Sequence, residues 1–96
     1  MSYQLTTPMG SVEAVIDDNC GLTKFNSIAN MLKRELKVKF SGKKAATDTV
    51  DWHFKYKGHP LTLHYNIYNG VSIFTANRKD NDAVNELAKY VVSRAY

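Results

Sequence analysis

From Val50 to Tyr68 apolar and polar residues alternate almost without a break. Val50, Trp52, Phe54 and Tyr56 are interleaved with Asp51, His53, Lys55 and Lys57. Leu61, Leu63, Tyr65 and Ile67 are interleaved with Thr62, His64, Asn66 and Tyr68. A period of two marks strands buried on one side. Asn69-Gly70 predicts a two-residue type I′ turn, because both central residues of that turn need positive φ. A third strand then runs from Val71 to Thr75, and Gly58-His59 is the expected turn between the first two. These turns set Tyr68 opposite Val71, Asn66 opposite Ile73, Tyr65 opposite Phe74 and His53 opposite His64. The apolar set Val50, Trp52, Phe54, Tyr56, Leu61, Leu63, Tyr65, Ile67 and Phe74 then shares one face. The other face carries Asp51, His53, Lys55, Lys57, Thr62, His64, Asn66 and Thr75, with Tyr68, Val71 and Ile73 beside them.

Upstream, Val12, Ala14 and Ile16 alternate as a short strand that ends at the turn residues Asp17-Asp18-Asn19. Leu22, Phe25, Ile28, Ala29, Leu32 and Leu36 recur at spacings of three and four and predict an amphipathic helix. Asp18, Asn19 or Thr23 is the expected cap, and Lys33, Arg34 and Lys37 suit its C-terminal end. Val38 and Phe40 suggest a brief strand before a polar loop, Ser41-Gly42-Lys43-Lys44. Ala83, Val84, Leu87, Ala88, Val91 and Val92 predict a second helix from Asp80 to Arg94. The expected fold is a single α+β domain over residues 1–96. Its antiparallel sheet has three to five strands and two helices on one face, in the order β-α-(β)-β-β-β-α.

Composition narrows the class. A chain of 96 residues with 44% hydrophobic content supports one core and one domain. No apolar run approaches the ~20 residues needed to cross a bilayer, and the N-terminus has no signal-peptide pattern. The lone cysteine, Cys20, has no internal partner for a disulfide, which suits a cytoplasmic setting. The net charge of +4 is concentrated. Residues 33–57 hold eight Lys or Arg against three acids, whereas residues 1–32 hold one Lys against three acids. That excess points to an acidic partner.

Candidate chemistry is sparse. His53 and His64, set opposite each other with Asp51 two residues away, offer a metal two or three ligands, but no spacing fixes a further strong one. Cys20 precedes a helix, where the dipole lowers a thiol pKa. The chain has no phosphate-binding glycine loop and no nucleophile elbow. The expectation is a non-enzymatic domain, without cofactor, that binds a protein partner or a second copy through the helix-free face. Tyr68, Val71 and Ile73 are the expected apolar anchors there, bordered by His53, Lys55 and His64. The alternative is nucleic-acid binding through segment 33–57, with Lys33, Arg34, Lys37, Lys39, Lys43 and Lys44 on phosphates. The helix–three strands–helix order from Leu22 to Arg94 resembles the topology of double-stranded-RNA-binding domains. That family starts its second helix with a basic cluster, where this chain has Arg78-Lys79-Asp80-Asn81-Asp82-Ala83. The turn Lys57-Gly58-His59-Pro60 also departs from the family's order. The resemblance is one of topology.

Overall fold

The computed structural model describes residues 3–94. Strands β1 (Tyr3–Thr6) and β2 (Val12–Asp17) precede helix α1 (Leu22–Leu36). Strands β3 (Phe40–Ala45), β4 (Thr49–Tyr56), β5 (His59–Asn66) and β6 (Gly70–Phe74) follow. A 3₁₀ turn, Arg78–Asp80, leads into helix α2 (Asn81–Ser93). The six strands form one sheet in the order β1-β2-β6-β5-β4-β3, and every neighbouring pair is antiparallel.

The sheet therefore exceeds the expected three to five strands at both edges. β1 adds one edge through a tight connection in which the Thr7 amide donates to the Ser11 carbonyl and Gly10 adopts φ +87°. At the other edge, Ser41-Gly42-Lys43-Lys44 is strand rather than loop. β3 pairs with β4 through a bulge between Phe40 and Gly42. A Cβ on Gly42 would lie 3.3 Å from the His53 ring, so a glycine here lets the edge lie close to β4.

The helices keep most of their expected apolar stripes, although Leu22 and Val92 are exposed. Phe25, Ile28, Ala29, Met31 and Leu32 are buried on α1, and Ala83, Val84, Leu87, Ala88 and Val91 on α2. The cap of α1 differs from expectation. Gly21, not Asp18, Asn19 or Thr23, is the N-cap of α1, and it has no side chain with which to cap. Asp80 is the N-cap of α2, yet its carboxylate makes no cap hydrogen bond. It turns instead to His59, whose Nδ1 lies 2.7 Å from Asp80 Oδ1.

Register decides which residues meet the helices, and here the structure corrects the reading from sequence. Lys57 and Gly58, at φ 51° and 83°, form the two-residue turn between β4 and β5. Phe54 thus faces Leu61 and Trp52 faces Leu63. This two-residue shift leaves the faces of β4 and β5 unchanged, but it separates the histidines. His53 lies opposite Thr62 and His64 opposite Asp51.

The β5–β6 turn changes more. Asn66 pairs with Gly70, leaving a three-residue loop, Ile67-Tyr68-Asn69. The Asn69 amide donates to the Asn66 carbonyl, and the Tyr68 amide donates to Asn66 Oδ1 at 2.7 Å. Gly70 still has positive φ, as the bulge that follows such a loop requires. Val71 now faces Tyr65 and Ile73 faces Leu63, a shift of odd length that exchanges the two sides of β6. Val71 and Ile73 are fully buried in the core, and Phe74 lies on the opposite face. Burying two such side chains favours this register by about 1.5–3 kcal/mol each over leaving them in water. The core is one cluster, with Ala14, Ile16, Leu61, Leu63, Val71 and Ile73 on its sheet side and both helices above.

Candidate binding face and sheet edges

The alternate positions of the strands make the face turned away from the helices. Cross-strand pairing places Tyr3, Val15, Ser72, His64, Asp51 and Lys44 in one row across all six strands. Leu5, Glu13, Phe74, Thr62, His53 and Gly42 form the next row. Polar groups in these rows are satisfied by one another. Ser72 Oγ donates to Glu13 Oε2 at 2.7 Å, His53 Nδ1 is hydrogen-bonded to Thr62 Oγ1 at 2.8 Å, and His64 Nδ1 donates to Asp51 Oδ1. The His64 ring also meets the Phe74 ring edge-on, with centroids 5.7 Å apart. The β5–β4 half of the face is thus a fixed polar surface, while the β1–β2–β6 half carries exposed Tyr3 and Leu5 and half-buried Phe74 over a buried Val15.

The two edges differ. β3 is a basic edge: Lys39 precedes it, and Lys43 and Lys44 lie within it, all exposed. A bulge, lysines and a glycine are devices that discourage another strand from pairing there. β1, Tyr-Gln-Leu-Thr, has none of them; all four residues are exposed and uncharged. Tyr3 and Leu5 are 41% and 48% exposed on the open face. On the helix side of β1, an apolar cleft of about 300 Å³ lies between the strand and α2. Ile16, Ala88 and Val92 line it, and a Gln4–Asn85 hydrogen bond and Lys89 border it.

The expected site residues are dispersed. His53, His64 and Lys55 lie on the open face as expected, and Tyr68 is exposed at the tip of the β5–β6 loop. Val71 and Ile73 cannot anchor a partner, because the helices already cover them. Among the described residues no group of three or more His, Cys, Asp or Glu side chains is placed to hold a metal ion. The thiol of Cys20 is pushed up from its ordinary pKa by burial and by the Asp17 charge, opposite to what a reactive thiolate needs.

Segment 33–57 is split between surfaces. Lys33 and Lys43 both lie over the Trp52 ring on the helix side, at 6.0 and 4.3 Å from its centroid. Lys44 faces Asp51 on the other side, Arg34 reaches Glu35, and Lys57 bonds Glu86 at 2.8 Å. Tyr3, Leu5, Glu13, Ser72 and Phe74 are the face residues not singled out from sequence. The alternation Tyr3-Gln4-Leu5-Thr6 ahead of Pro8-Met9-Gly10 is the signal that marks β1.

The fold and face define an α+β domain with a six-stranded antiparallel sheet, two helices, and no helix among the described residues long and apolar enough to cross a membrane. Within that class, the chain belongs to the protein family of unknown function DUF3630, whose model matches residues 4–93. No curated protein matches the chain. No solved structure matches it either.

Proposed function

We propose that this is a non-enzymatic domain that associates with a second copy of itself through the β1 edge and the adjoining apolar half of the open face. One observation carries the reading: of the two sheet edges, only β3 is guarded. β1 offers free backbone donors and acceptors beside exposed Tyr3 and Leu5. Pairing two β1 strands antiparallel about a two-fold axis through Gln4 sets each Tyr3 opposite the other copy's Leu5. Both side chains are then on one face, because residues directly opposite share a face. The two sheets become one, and the apolar strips of both copies join through Tyr3 and Leu5, backed by half-buried Phe74. The edge itself carries no charge, so the symmetric contact brings no like charges together.

The contact is short. Cross-strand apolar pairs contribute only about 0.2–1 kcal/mol each and backbone hydrogen bonds about 0.5–1.5 kcal/mol each, so weak association with a dissociation constant of about a millimolar is expected. Sedimentation velocity over a concentration series tests it. Wild-type protein should show a reversible monomer–dimer equilibrium, and Leu5→Lys should sediment as a monomer with unchanged far-UV circular dichroism. A monomer throughout, or a dimer that Leu5→Lys leaves intact, overturns the reading.

A further inference from the structure

The guarded edge has a role of its own. The geometry points to a binding site for single-stranded nucleic acid that runs along β3 and into the groove at its start. The site is distinct from β1 and does not depend on self-association.

Three observations carry it. First, Lys33, Lys37, Lys39 and Lys43 are exposed, and among the described residues none has a carboxylate partner. Glu35, Glu86 and Asp51 are already engaged elsewhere. Glu35 accepts from Tyr90 at 2.7 Å and pairs with Arg94 at 2.8 Å, Glu86 is held by Lys57, and Asp51 by His64. The positive charge here is therefore not neutralised within the molecule.

Second, the cations are held in place rather than scattered. Lys33 from α1 and Lys43 from β3 converge on one indole, Trp52, itself fixed edge-on by Phe25 and Phe40 at 5.0 and 5.2 Å. An ammonium over an aromatic face loses some of its freedom before any ligand arrives, so less ordering remains to be done on binding. Third, the line of lysines ends in a groove of about 540 Å³. Lys37 stands on its wall, with Tyr56, Tyr90 and the Lys57–Glu86 pair beside it and Lys55 at its rim on the open-face side. A groove that continues the line of cations suits a strand whose backbone follows them.

A single strand is favoured over a duplex by what the rest of the surface lacks. The start of α2 carries Asp80 and Asp82 rather than a second row of cations, and Asp80 is buried against His59. One narrow line of cations on an edge strand matches one backbone, not the two rails of a duplex.

The test is fluorescence anisotropy with labelled 12-nucleotide single-stranded DNA and RNA, a duplex of the same length, and polyglutamate as competitor. Four lysine–phosphate contacts on a single strand give a salt slope of about −2.8, roughly a 50-fold loss of affinity between ~50 and ~200 mM salt. Lys39→Glu with Lys43→Glu should weaken binding at least ~10-fold and flatten that slope by about 1.4. Lys79→Glu with Lys89→Glu makes the same change in net charge elsewhere and should leave binding within about twofold, as a non-specific charge effect would not. The gentler pair Lys39→Gln with Lys43→Gln repeats the comparison should charge reversal disturb the fold. Absence of binding at low salt, equal losses in both pairs, tighter binding of the duplex, or equal competition by polyglutamate would each overturn the proposal; the last would make the partner an acidic polypeptide.

Discussion

His59→Ala should be among the most damaging single changes outside the apolar core. Asp80 is only 3% exposed, Oδ1 has His59 as its side-chain partner at 2.7 Å, and Oδ2 has no hydrogen-bond partner. Removing His59 leaves a buried carboxylate with nothing opposite either oxygen. Breaking a buried pair costs about 3–5 kcal/mol when the remaining charge stays dry. Here the His59 side chain is 44% exposed, so water reaches part of the vacated space and the cost falls to about 2–3 kcal/mol. For a domain of this size each kcal/mol moves Tm by about 4–8 °C, so a drop of about 10–20 °C is expected.

The comparison that separates charge burial from simple loss of contacts is Asp80→Ala in the same background. Asp80 makes no cap hydrogen bond, so the double variant should be more stable than His59→Ala alone. Urea titration followed by circular dichroism gives all three free energies. A loss below about 0.5 kcal/mol for His59→Ala would refute the reasoning and mean that the Asp80 carboxylate is solvated.

Gly70→Ala should be strongly destabilising, because the new Cβ would sit 1.9 Å from the Asp17 carbonyl oxygen at a residue with φ +77°; thermal melts should show a loss well beyond the ~1 kcal/mol of an ordinary glycine replacement. Ile73→Asp should abolish cooperative unfolding, since it puts a charge at a fully buried position of the core; a folded variant would restore the alternative register in which Ile73 faces water. The Glu35 carboxyl is held below its ordinary pKa by hydrogen bonds from Arg94 and Tyr90, which tie α1 to α2. A lowered carboxyl stabilises the fold above its unfolded-state pKa and loses that contribution as pH falls through the folded-state value. Melting temperatures of wild type and Glu35→Gln should therefore differ at neutral pH and converge as pH falls through the folded-state value; a gap that persists in acid would contradict this origin.

The parts of the fold legible in the sequence are those where one local pattern decides. The α1 stripe ends where its periodicity ends, at Leu36, and the alternation from Val50 to Tyr65 places Trp52, Phe54 and Leu63 on the core side whichever two-residue turn is chosen. The faces of β6 were not legible in this way. Asn69-Gly70 fits both a two-residue turn and the end of a three-residue loop, and these differ by an odd shift. What selects the longer loop is tertiary: the helices need Val71 and Ile73, and Gly70 must pass against Asp17, fifty-three residues earlier in the chain. The anchors expected at Val71 and Ile73 failed for that reason alone. The basic excess of segment 33–57 was visible, but its division between Trp52, the open face and Glu86 follows from strand pairing that spacing does not encode. Asp80 shows a third kind of limit. Its residue type marks a helix start correctly, while its side chain is claimed by His59 on a strand twenty-one residues earlier in the chain.

Sedimentation velocity of the wild-type chain beside Leu5→Lys bears most directly on the proposed role of the unguarded edge. Pairing of β1 with the β1 of a second copy predicts a weight-average sedimentation coefficient that rises with concentration toward a dimer up to ~1 mM, and a variant that stays monomeric over the same range. A wild-type coefficient flat at the monomer value throughout, or identical curves for the two proteins, would contradict it.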